Sequence, residues 1–598
     1  MSRQRIVTDL NLSGTGWQAF ERTVQRLLIA RGYQGVQLAG ASGDGGADVT
    51  GTLNGKRWLF QAKRWRRAVG PSVIAETVAA CRLYDAQIPV VVSLSGFDQA
   101  ARTQQRDLQA RGIPLQLWDR AALERQASLM PAQPLSQRDL DRFALRSYQV
   151  QAVDQMMGEL LTGARSSLVV LATGLGKTFV AAEFYRRFTA TRPRAKALVL
   201  AHRNELVYQL ERSFWPMLSP EIATGVWNGN ERPDHEALAD LDVVFACVDS
   251  VASAVNSGRE FPQFSLVIVD ECHHLGTGNY SAVLGELSAA DGGAFLVGMT
   301  ATPWRPDGQS LHRWFDYPVV DLDMVRGLRE GYLANVDYRM FTDNIDWDAL
   351  THSLAATAPS GTADRSLTPR GINRTLFIEE WDDAVVERLA EVWREQPRPR
   401  GIVFCGTIDH AERMSARINA LGFTRAGVIA SKTSSGKAVG AASRARTLWD
   451  FADGRTGVLC AVDILNEGVD VPDVNIVVFQ RVTHSRRIFV QQLGRGLRLA
   501  PGKDRVIVLD FVSDIRRFAA GLELQDSLTP RSKKQREPRV QMGSKVTFMR
   551  ANAEDKKGAT FLREWLGDLR EVQDADEDVQ ILRYPPTPDI RHTTKGDS

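Results

Sequence analysis

The sequence predicts an α/β protein in which two parallel-sheet domains follow a smaller N-terminal α/β unit, with a short, partly disordered C-terminal tail. Three observations carry that prediction. From about residue 144, two sets of short β-branched runs alternate with amphipathic stretches. Apolar runs of four to six residues between helical segments are the pattern of strands buried on both faces. One run leads directly into a glycine-rich loop that opens a helical pattern, the order strand, loop, helix. Residues 1–125 carry 17 Lys and Arg against 10 Asp and Glu, a local charge of +7 in a chain of net +3, so they stand apart in composition.

At roughly 150 residues per domain, 598 residues predict about four compact units. A chain that is 43% hydrophobic and 24% charged has material for several cores and is not mostly disordered. The five cysteines (Cys81, Cys247, Cys272, Cys405, Cys460) lie far apart with no CxxC pair, so neither a disulfide framework nor a zinc ribbon is expected. No apolar run approaches the ~18 residues of a membrane span, and the N-terminus lacks an apolar leader. A cytoplasmic protein without membrane contact is the expectation.

Taken in order, residues 1–126 open with a helix-like stretch, GWQAFERTVQRLLIARGY, and then a strand, RWLFQAKRW. Residues 127–143 carry two prolines and read as a linker. The first parallel-sheet domain spans 144–340, with runs at 167–172, 197–201, 242–247, 265–270 and 294–300. Residues 341–377 are a connector or insertion. The second domain, 378–520, has runs at 401–405, 457–462, 474–479 and 505–510. The extension 521–598 begins basic and turns acidic, with room for one amphipathic helix near 559–572. Its SKKQREPR segment is either a nucleic-acid contact or a solubilising tail.

The run SLVVLA leads into Thr173-Gly174-Leu175-Gly176-Lys177-Thr178 and the helical FVAAEFYRRF. Glycines let backbone N–H groups curl around phosphates, and the helix N-terminus adds positive potential. Lys177 neutralises β/γ charge, and the Thr178 hydroxyl is placed to ligate Mg²⁺. The first glycine of the strict pattern is replaced by Leu171. A second run, SLVIVD, ends in Asp270-Glu271-Cys272-His273. An aspartate at the end of a buried strand can hold Mg²⁺, and the adjacent glutamate can polarise the attacking water. The expected cofactors are ATP and Mg²⁺ (or Mn²⁺).

These residues resemble the superfamily 2 helicases of the DEAD/DEAH-like class, over about residues 144–515. Arg146-Ser147-Tyr148-Gln149 resembles the adenine-reading element, which implies nucleotide contacts for Arg146 and Gln149. His202-Arg203-Asn204-Glu205-Leu206 is similar to the first strand-contacting motif. Asp270-Glu271-Cys272-His273 is similar to the DExH box, the ATP-coupling element to which His273 belongs, and Thr300-Ala301-Thr302 is similar to the motif coupling hydrolysis to strand movement. Asn466-Glu467-Gly468-Val469-Asp470 resembles the fifth motif. Gln491-Gln492-Leu493-Gly494-Arg495-Gly496-Leu497-Arg498 resembles the sixth. The resemblance implies two RecA-like domains, with Gln491 at the nucleotide and Arg495 and Arg498 as arginine fingers on the γ-phosphate. Planar cations there act only when the cleft closes. GRGLRLAPGK and LNEGVDVPDVN look like XPB/RadD-like repair helicases and restriction-enzyme motor subunits. The cysteine-rich C-terminal element of the RadD-like pattern has no counterpart, since no cysteine follows Cys460.

The N-terminal unit holds a second constellation. Gly43-Asp44-Gly45-Gly46-Ala47-Asp48-Val49 precedes the strand that presents Gln61 and Lys63 on one face, side chains alternating with period two. An acid, a polar residue and a lysine so placed can hold a divalent metal and position a water. FE…GY…SGDGGADV…FQAKRW resembles the Mrr-like branch of the PD-(D/E)xK nucleases, over roughly 13–125. The resemblance implies a restriction-endonuclease-like fold. It implies Asp48 as the main metal ligand, Gln61 helping to form the metal site, Lys63 as the catalytic lysine and Glu21 as an auxiliary acid. Glu21 as a surface acid is the alternative, and Asp44 serves either a turn or the metal. Lys63-Arg64-Trp65-Arg66-Arg67 suits phosphate contact and base stacking, or else forms a solvated strand edge.

The expected function is an ATP-dependent DNA helicase or translocase joined to a metal-dependent endonuclease, in restriction or anti-phage defence. Its partner is double- or single-stranded DNA, with defence-system proteins or a second copy of the chain as further partners. Two alternatives stand beside it: a repair motor whose nuclease-like domain only binds DNA, and a motor acting on RNA. Gln61 in place of an acid keeps the first open, and helicase motifs that contact phosphate and sugar keep the second open.

Overall fold

A computed structural model of the chain describes residues 16–38, 46–129, 145–193, 195–219, 221–260, 262–275, 278–289, 293–301, 311–343, 379–430, 432–436, 439, 441–462, 474–480, 496–499, 503, 505–511 and 548–550. The connector core, the fifth motif, most of the sixth motif including Gln491 and Arg495, Asp44, Thr302 and the expected helix near 559–572 lie outside the described residues.

The N-terminal unit is a five-stranded sheet with helices on both faces. Its elements are α1 (Trp17–Ala30), β1 (Gln34–Leu38), β2 (Val49–Leu53), β3 (Lys56–Lys63), α2 (Pro71–Tyr84), β4 (Ile88–Ser93), α3 (Gln99–Ala110), β5 (Gln116–Trp118) and α4 (Arg120–Ser128). Strand order follows chain order, β1-β2-β3-β4-β5. The first two pairings are antiparallel and the last two parallel. In α1, Phe20, Val24, Leu27 and Leu28 recur at helical spacing and bury against Phe60, Val90 and Trp118 of the sheet. On the other face Val73 and Ile74 of α2 pack on Val91. Asp98 and Asp119 cap α3 and α4 by accepting from Ala101 N and Ala122 N. Helix α4 reaches Ser128, two residues into the stretch expected as linker.

The next unit contains α5 (Ser147–Leu161), β6 (Ser166–Leu171), α6 (Lys177–Thr191), β7 (Ala197–Ala201), α7 (Asn204–Phe214), β8 (Thr224–Trp227), α8 (His235–Asp240), β9 (Val243–Cys247), α9 (Val248–Asn256), β10 (Leu266–Asp270), α10 (Gly278–Ala289), β11 (Phe295–Thr300), β12 (Pro318–Leu322) and α11 (Met324–Arg329). Its seven strands run parallel in the order β12-β6-β11-β10-β7-β9-β8. All five runs expected as strands are strands, and they hold the five middle positions. There both faces are covered, so nearly every residue must be apolar.

The last sheet is built from β13 (Asn335–Asp343), β14 (Gly401–Phe404), β15 (Ala426–Ile429), β16 (Val458–Ala461), β17 (Ile476–Phe479), β18 (Arg505–Asp510) and β19 (Phe548–Arg550). Helices α12 (Glu379–Trp393), α13 (Ile408–Leu421) and α14 (Ala441–Ala452) belong to the same unit. The order is β15-β16-β14-β17-β18-β13-β19, with β19 alone antiparallel. One boundary differs from the sequence expectation. Residues 335–340 were assigned to the first parallel-sheet domain, but β13 pairs with β18 in the second sheet. The alternating sequence NVDYRMFTD lacks the continuous apolar run that marked the other interior strands. Strand β19 brings a piece of the C-terminal extension onto the same sheet.

The N-terminal unit is docked on both parallel-sheet domains. Arg22 of α1 donates from Nε to Glu211 Oε2 at 2.7 Å and from Nη1 to Glu231, all three side chains being buried. Arg26 donates to the carbonyls of Ile222 (3.0 Å) and Ser219 (3.3 Å). Burial pulls the Arg26 guanidinium down to about 10, against the attraction of Glu211. On the other side Arg57 of β3 pairs with Asp450 (3.3 Å) and Asp453 and lies 4.0 Å over the Trp449 ring. Trp449 of α14 joins Ala47, Leu59 and Tyr84 in one apolar cluster. Among the described residues, no helix is long and apolar enough to cross a membrane.

Candidate active sites

The glycine-rich loop lies between β6 and α6. Thr173 and Gly174 form the turn, Leu175 is buried as its anchor, and Lys177 and Thr178 open α6 half-buried. Gly174 (φ +92°) and Gly176 (φ +80°) occupy the left-handed region. Gln149 Nε2 donates to Leu175 O at 2.8 Å, and Tyr148 Oη donates to the same carbonyl at 2.9 Å. Gln149 Oε1 accepts from Arg146 N at 2.9 Å. In this arrangement Gln149 braces the phosphate loop, while Arg146 Nη1 donates to Tyr332 O at 2.8 Å.

Gly176→Ala is therefore expected to weaken nucleotide binding by roughly tenfold. A Cβ there meets Gln149 Nε2 at 2.5 Å, and the positive φ alone costs roughly 1 kcal/mol. Titration with a fluorescent nucleotide checks this, and unchanged affinity would show that the loop closes some other way.

Asp270 ends β10, facing the loop from two strands away in the sheet. Glu271 follows in the left-handed region (φ +49°), a conformation rare outside glycine and asparagine that re-aims its carboxylate at the loop. Lys177 Nζ lies 3.3 Å from Glu271 Oε1 and 3.4 Å from Leu171 O. Burial opposes the Glu271 charge, yet Lys177 and His273 hold its carboxyl below the usual range. Asp270 is pushed up, first by burial and then by Glu271. Two half-buried carboxylates sharing one lysine are short of positive charge, which suits a divalent cation at Asp270 and Thr178. His273 Nδ1 lies 3.0 Å from Thr300 Oγ1, so the box after β10 touches the end of β11 directly. The His273 and His274 rings and the His202 and His274 rings are each 4.3 Å apart, linking the start of α7 to this box. Arg498 is exposed just after Leu497, whose carbonyl accepts from Ala334 N at 2.9 Å.

In the N-terminal unit, Asp48 N donates to Phe60 O, and Asp48 Oδ2 accepts from Ala62 N at 2.6 Å. This fixes Asp48 beside Gln61 and Lys63 on β3. Gln61 is fully buried and Lys63 half-buried. Glu21 is buried on α1, at 6% exposure, and so is not a surface acid. Beyond Lys63 the cluster turns outward: Trp65 to Arg67 are exposed, with Arg67 5.4 Å over the Trp65 ring. The sequence reading missed Glu76 and Thr77 on α2. Glu76 Oε2 accepts from Gln61 Nε2 at 3.0 Å, and the Thr77 hydroxyl donates to Gln61 Oε1. Their signal was weak, because they lie 15 and 16 residues beyond Gln61, on a helix rather than at a motif spacing. Among the described residues, no three His, Cys, Asp or Glu side chains gather as a metal cage.

Three protein families match the chain: a restriction endonuclease family of the Mrr catalytic type over residues 12–126, the res subunit of type III restriction enzymes over 142–305, and the helicase conserved C-terminal domain over 384–500. The endonuclease subunit of the type I restriction enzyme EcoAI from Escherichia coli is 26% identical over 390 residues, 62% of this chain and 47% of that subunit. The DNA 3′-5′ translocase XPB2 of Sulfurisphaera tokodaii is 26% identical over 386 residues, 60% of this chain and 79% of the relative. The type ISP restriction-modification enzyme LlaBIII bound to DNA matches with a TM-score of 0.46 at 18% identity, over 82% of this chain and 36% of its own. The chain thus spans about half the length of the EcoAI subunit. In chain order, the match to an Mrr-type restriction endonuclease is followed by the match to the res subunit of restriction enzymes and then by the match to the helicase conserved C-terminal domain.

Proposed function

We propose that the chain is an ATP-driven DNA translocase whose N-terminal domain cuts DNA with the help of a divalent metal, in restriction of foreign DNA in a prokaryotic cytoplasm. One observation carries the coupling of the two activities: the nuclease domain is held to the first motor domain through Arg22 and to the second through Arg57. A change in the angle between the motor domains must then move the nuclease or break one of these contacts.

In the motor, the Gly174–Lys177 loop binds the ATP phosphates and Lys177 leaves Glu271 to pair with them. Glu271, so released, orients and polarises the attacking water. Arg498, with Arg495, stabilises the charge that develops on the γ-phosphoryl as the cleft closes. His273 and Thr300 pass the change at Glu271 to the end of β11. In the nuclease, Asp48 takes the metal, Lys63 stabilises the attacking hydroxide, and Arg64, Trp65, Arg66 and Arg67 hold the DNA backbone. Bound Mg²⁺ supplies charge neutralisation on phosphate oxygens at both sites, and a more acidic water at the nuclease site. Defence-system proteins or a second copy of the chain would complete target selection.

Plasmid and linear DNA incubated with Mg²⁺ or Mn²⁺, with and without ATP, test this directly. The wild type is expected to cut. Lys63→Ala should lose cleavage by roughly 10²-fold or more while keeping DNA-stimulated ATPase. Lys177→Ala should lose the ATP-dependent part alone. ATPase without any cleavage would move the nuclease-like domain to a binding role, and stimulation by RNA rather than DNA would reassign the track.

A further inference from the structure

We propose that Glu76 supplies the second carboxylate of the nuclease metal site, and that Gln61 is a positioning residue that aims it. The inference rests on the nuclease reading above. Gln61 occupies the strand position from which an acid would reach the metal beside Asp48, but an amide is a weak ligand for a hard cation. Both ends of that amide are engaged by α2: Nε2 donates to Glu76 at 3.0 Å, and Oε1 accepts from Thr77. An ionised Glu76 can only accept hydrogen bonds, so the Gln61 NH₂ group must face it and the Gln61 oxygen must face Thr77. The oxygen that would ligate a metal is thus turned to a hydroxyl, and the group presented at the site is the Glu76 carboxylate.

Gly46 supplies the second observation. It lies two residues before Asp48 at φ +91°, and a Cβ there would sit 2.6 Å from Glu76 Cγ and 2.7 Å from Gln61 Nε2. The glycine turn therefore lets the Glu76 and Gln61 side chains close on the loop that carries Asp48. Glu76 itself is exposed, whereas Gln61 is 0% exposed. A buried amide that orders an exposed carboxylate at the mouth of a site performs the outer-shell task of fixing a ligand's direction. Two carboxylates, with water filling the remaining positions, are what Mg²⁺ commonly takes from a protein.

Calorimetric titration of Mn²⁺ into the full-length, nucleotide-free chain tests the assignment. The component lost in Asp48→Asn marks the nuclease site. Glu76→Gln is expected to weaken that component by roughly 10²-fold. Gln61→Ala, which removes only the orienting partner, should weaken it by roughly tenfold. The swap Gln61→Glu with Glu76→Gln keeps one carboxylate and one amide in hydrogen-bond contact and should recover most of the affinity. A residue that merely held α2 to β3 would lower the thermal midpoint without these graded losses of Mn²⁺ affinity. If Glu76→Gln binds Mn²⁺ as the wild type does, the assignment is overturned and the nuclease reading stands. If the wild type has no Asp48-dependent component, both fall.

Discussion

Glu271→Gln should stop ATP turnover while leaving ATP bound. Replacing the carboxylate with an amide removes the group that accepts a proton from the attacking water, a loss of roughly 10²–10⁴-fold in rate. The same change removes the partner that holds Lys177 at 3.3 Å. Lys177 is then free for the phosphates before any nucleotide arrives, so affinity should hold or rise. It also takes away the charge that, after burial, raises the Asp270 carboxyl, so Asp270 ionises more readily and remains competent for a cation. Lys177→Ala should behave oppositely and lose binding itself. Steady-state hydrolysis beside nucleotide titration separates the two variants. Turnover within tenfold of wild type in Glu271→Gln would mean that another group serves as the base.

What was legible in the sequence follows from where each strand lies. The nine apolar runs became the interior strands of the two motor sheets, because a strand covered on both faces has no place for polar residues. The strands that were missed include three at sheet edges, β8, β12 and β15, which are short and carry glycine or charged residues. Interior β13 was missed for a different reason. Its alternating side chains mimic a solvated strand, and its partner β18 lies about 170 residues on. The phosphate loop was legible because its chemistry is local: glycines, lysine and threonine are consecutive, and a strand and a helix bracket them.

The nuclease constellation was legible only in part, for the same reason. Asp48 immediately precedes β2, Gln61 and Lys63 lie on the neighbouring β3, and period two places those two on one face. Glu76 and Thr77 reach Gln61 from a helix that crosses behind the strand, and no spacing rule connects them. The docking of the nuclease on the motor left still less trace. Arg22 and Glu211 are 189 positions apart, and Arg57 and Asp453 are 396 apart. In the sequence those arginines are two among the cations that make the first 125 residues basic. Part of the local charge excess therefore binds the chain's own acidic residues.

Arg22→Met should loosen the nuclease from the first motor domain more than any surface change. Glu211 and Glu231 are both buried, and Arg22 answers both. Burial works against the Arg22 charge, but the two carboxylates outweigh it and hold the guanidinium above its usual pKa. Removing one partner of a buried ion pair costs roughly 3–5 kcal/mol, because the remaining charges stay desolvated. Here a cavity of about 220 Å³ lined by Arg22, Glu211 and Glu231 leaves room for water, which places the cost near the lower end of that range. Removing every charge is a different experiment. In the triple variant Arg22→Met, Glu211→Gln, Glu231→Gln, the Thr224 hydroxyl that donates to Glu211 Oε1 at 2.8 Å can still donate to an amide oxygen. Most of the lost stability should return, because a neutral junction pays no desolvation for ions. Chemical denaturation followed through protease sensitivity near residue 130 reads the junction, and ATP-dependent plasmid cleavage reads the coupling. The single variant should open the junction and lose the ATP dependence of cutting while its DNA-stimulated ATPase continues. If cutting stays ATP-dependent after the junction has opened, the motor reaches the nuclease through Arg57 and Trp449 alone, and the two-sided attachment is not what couples them.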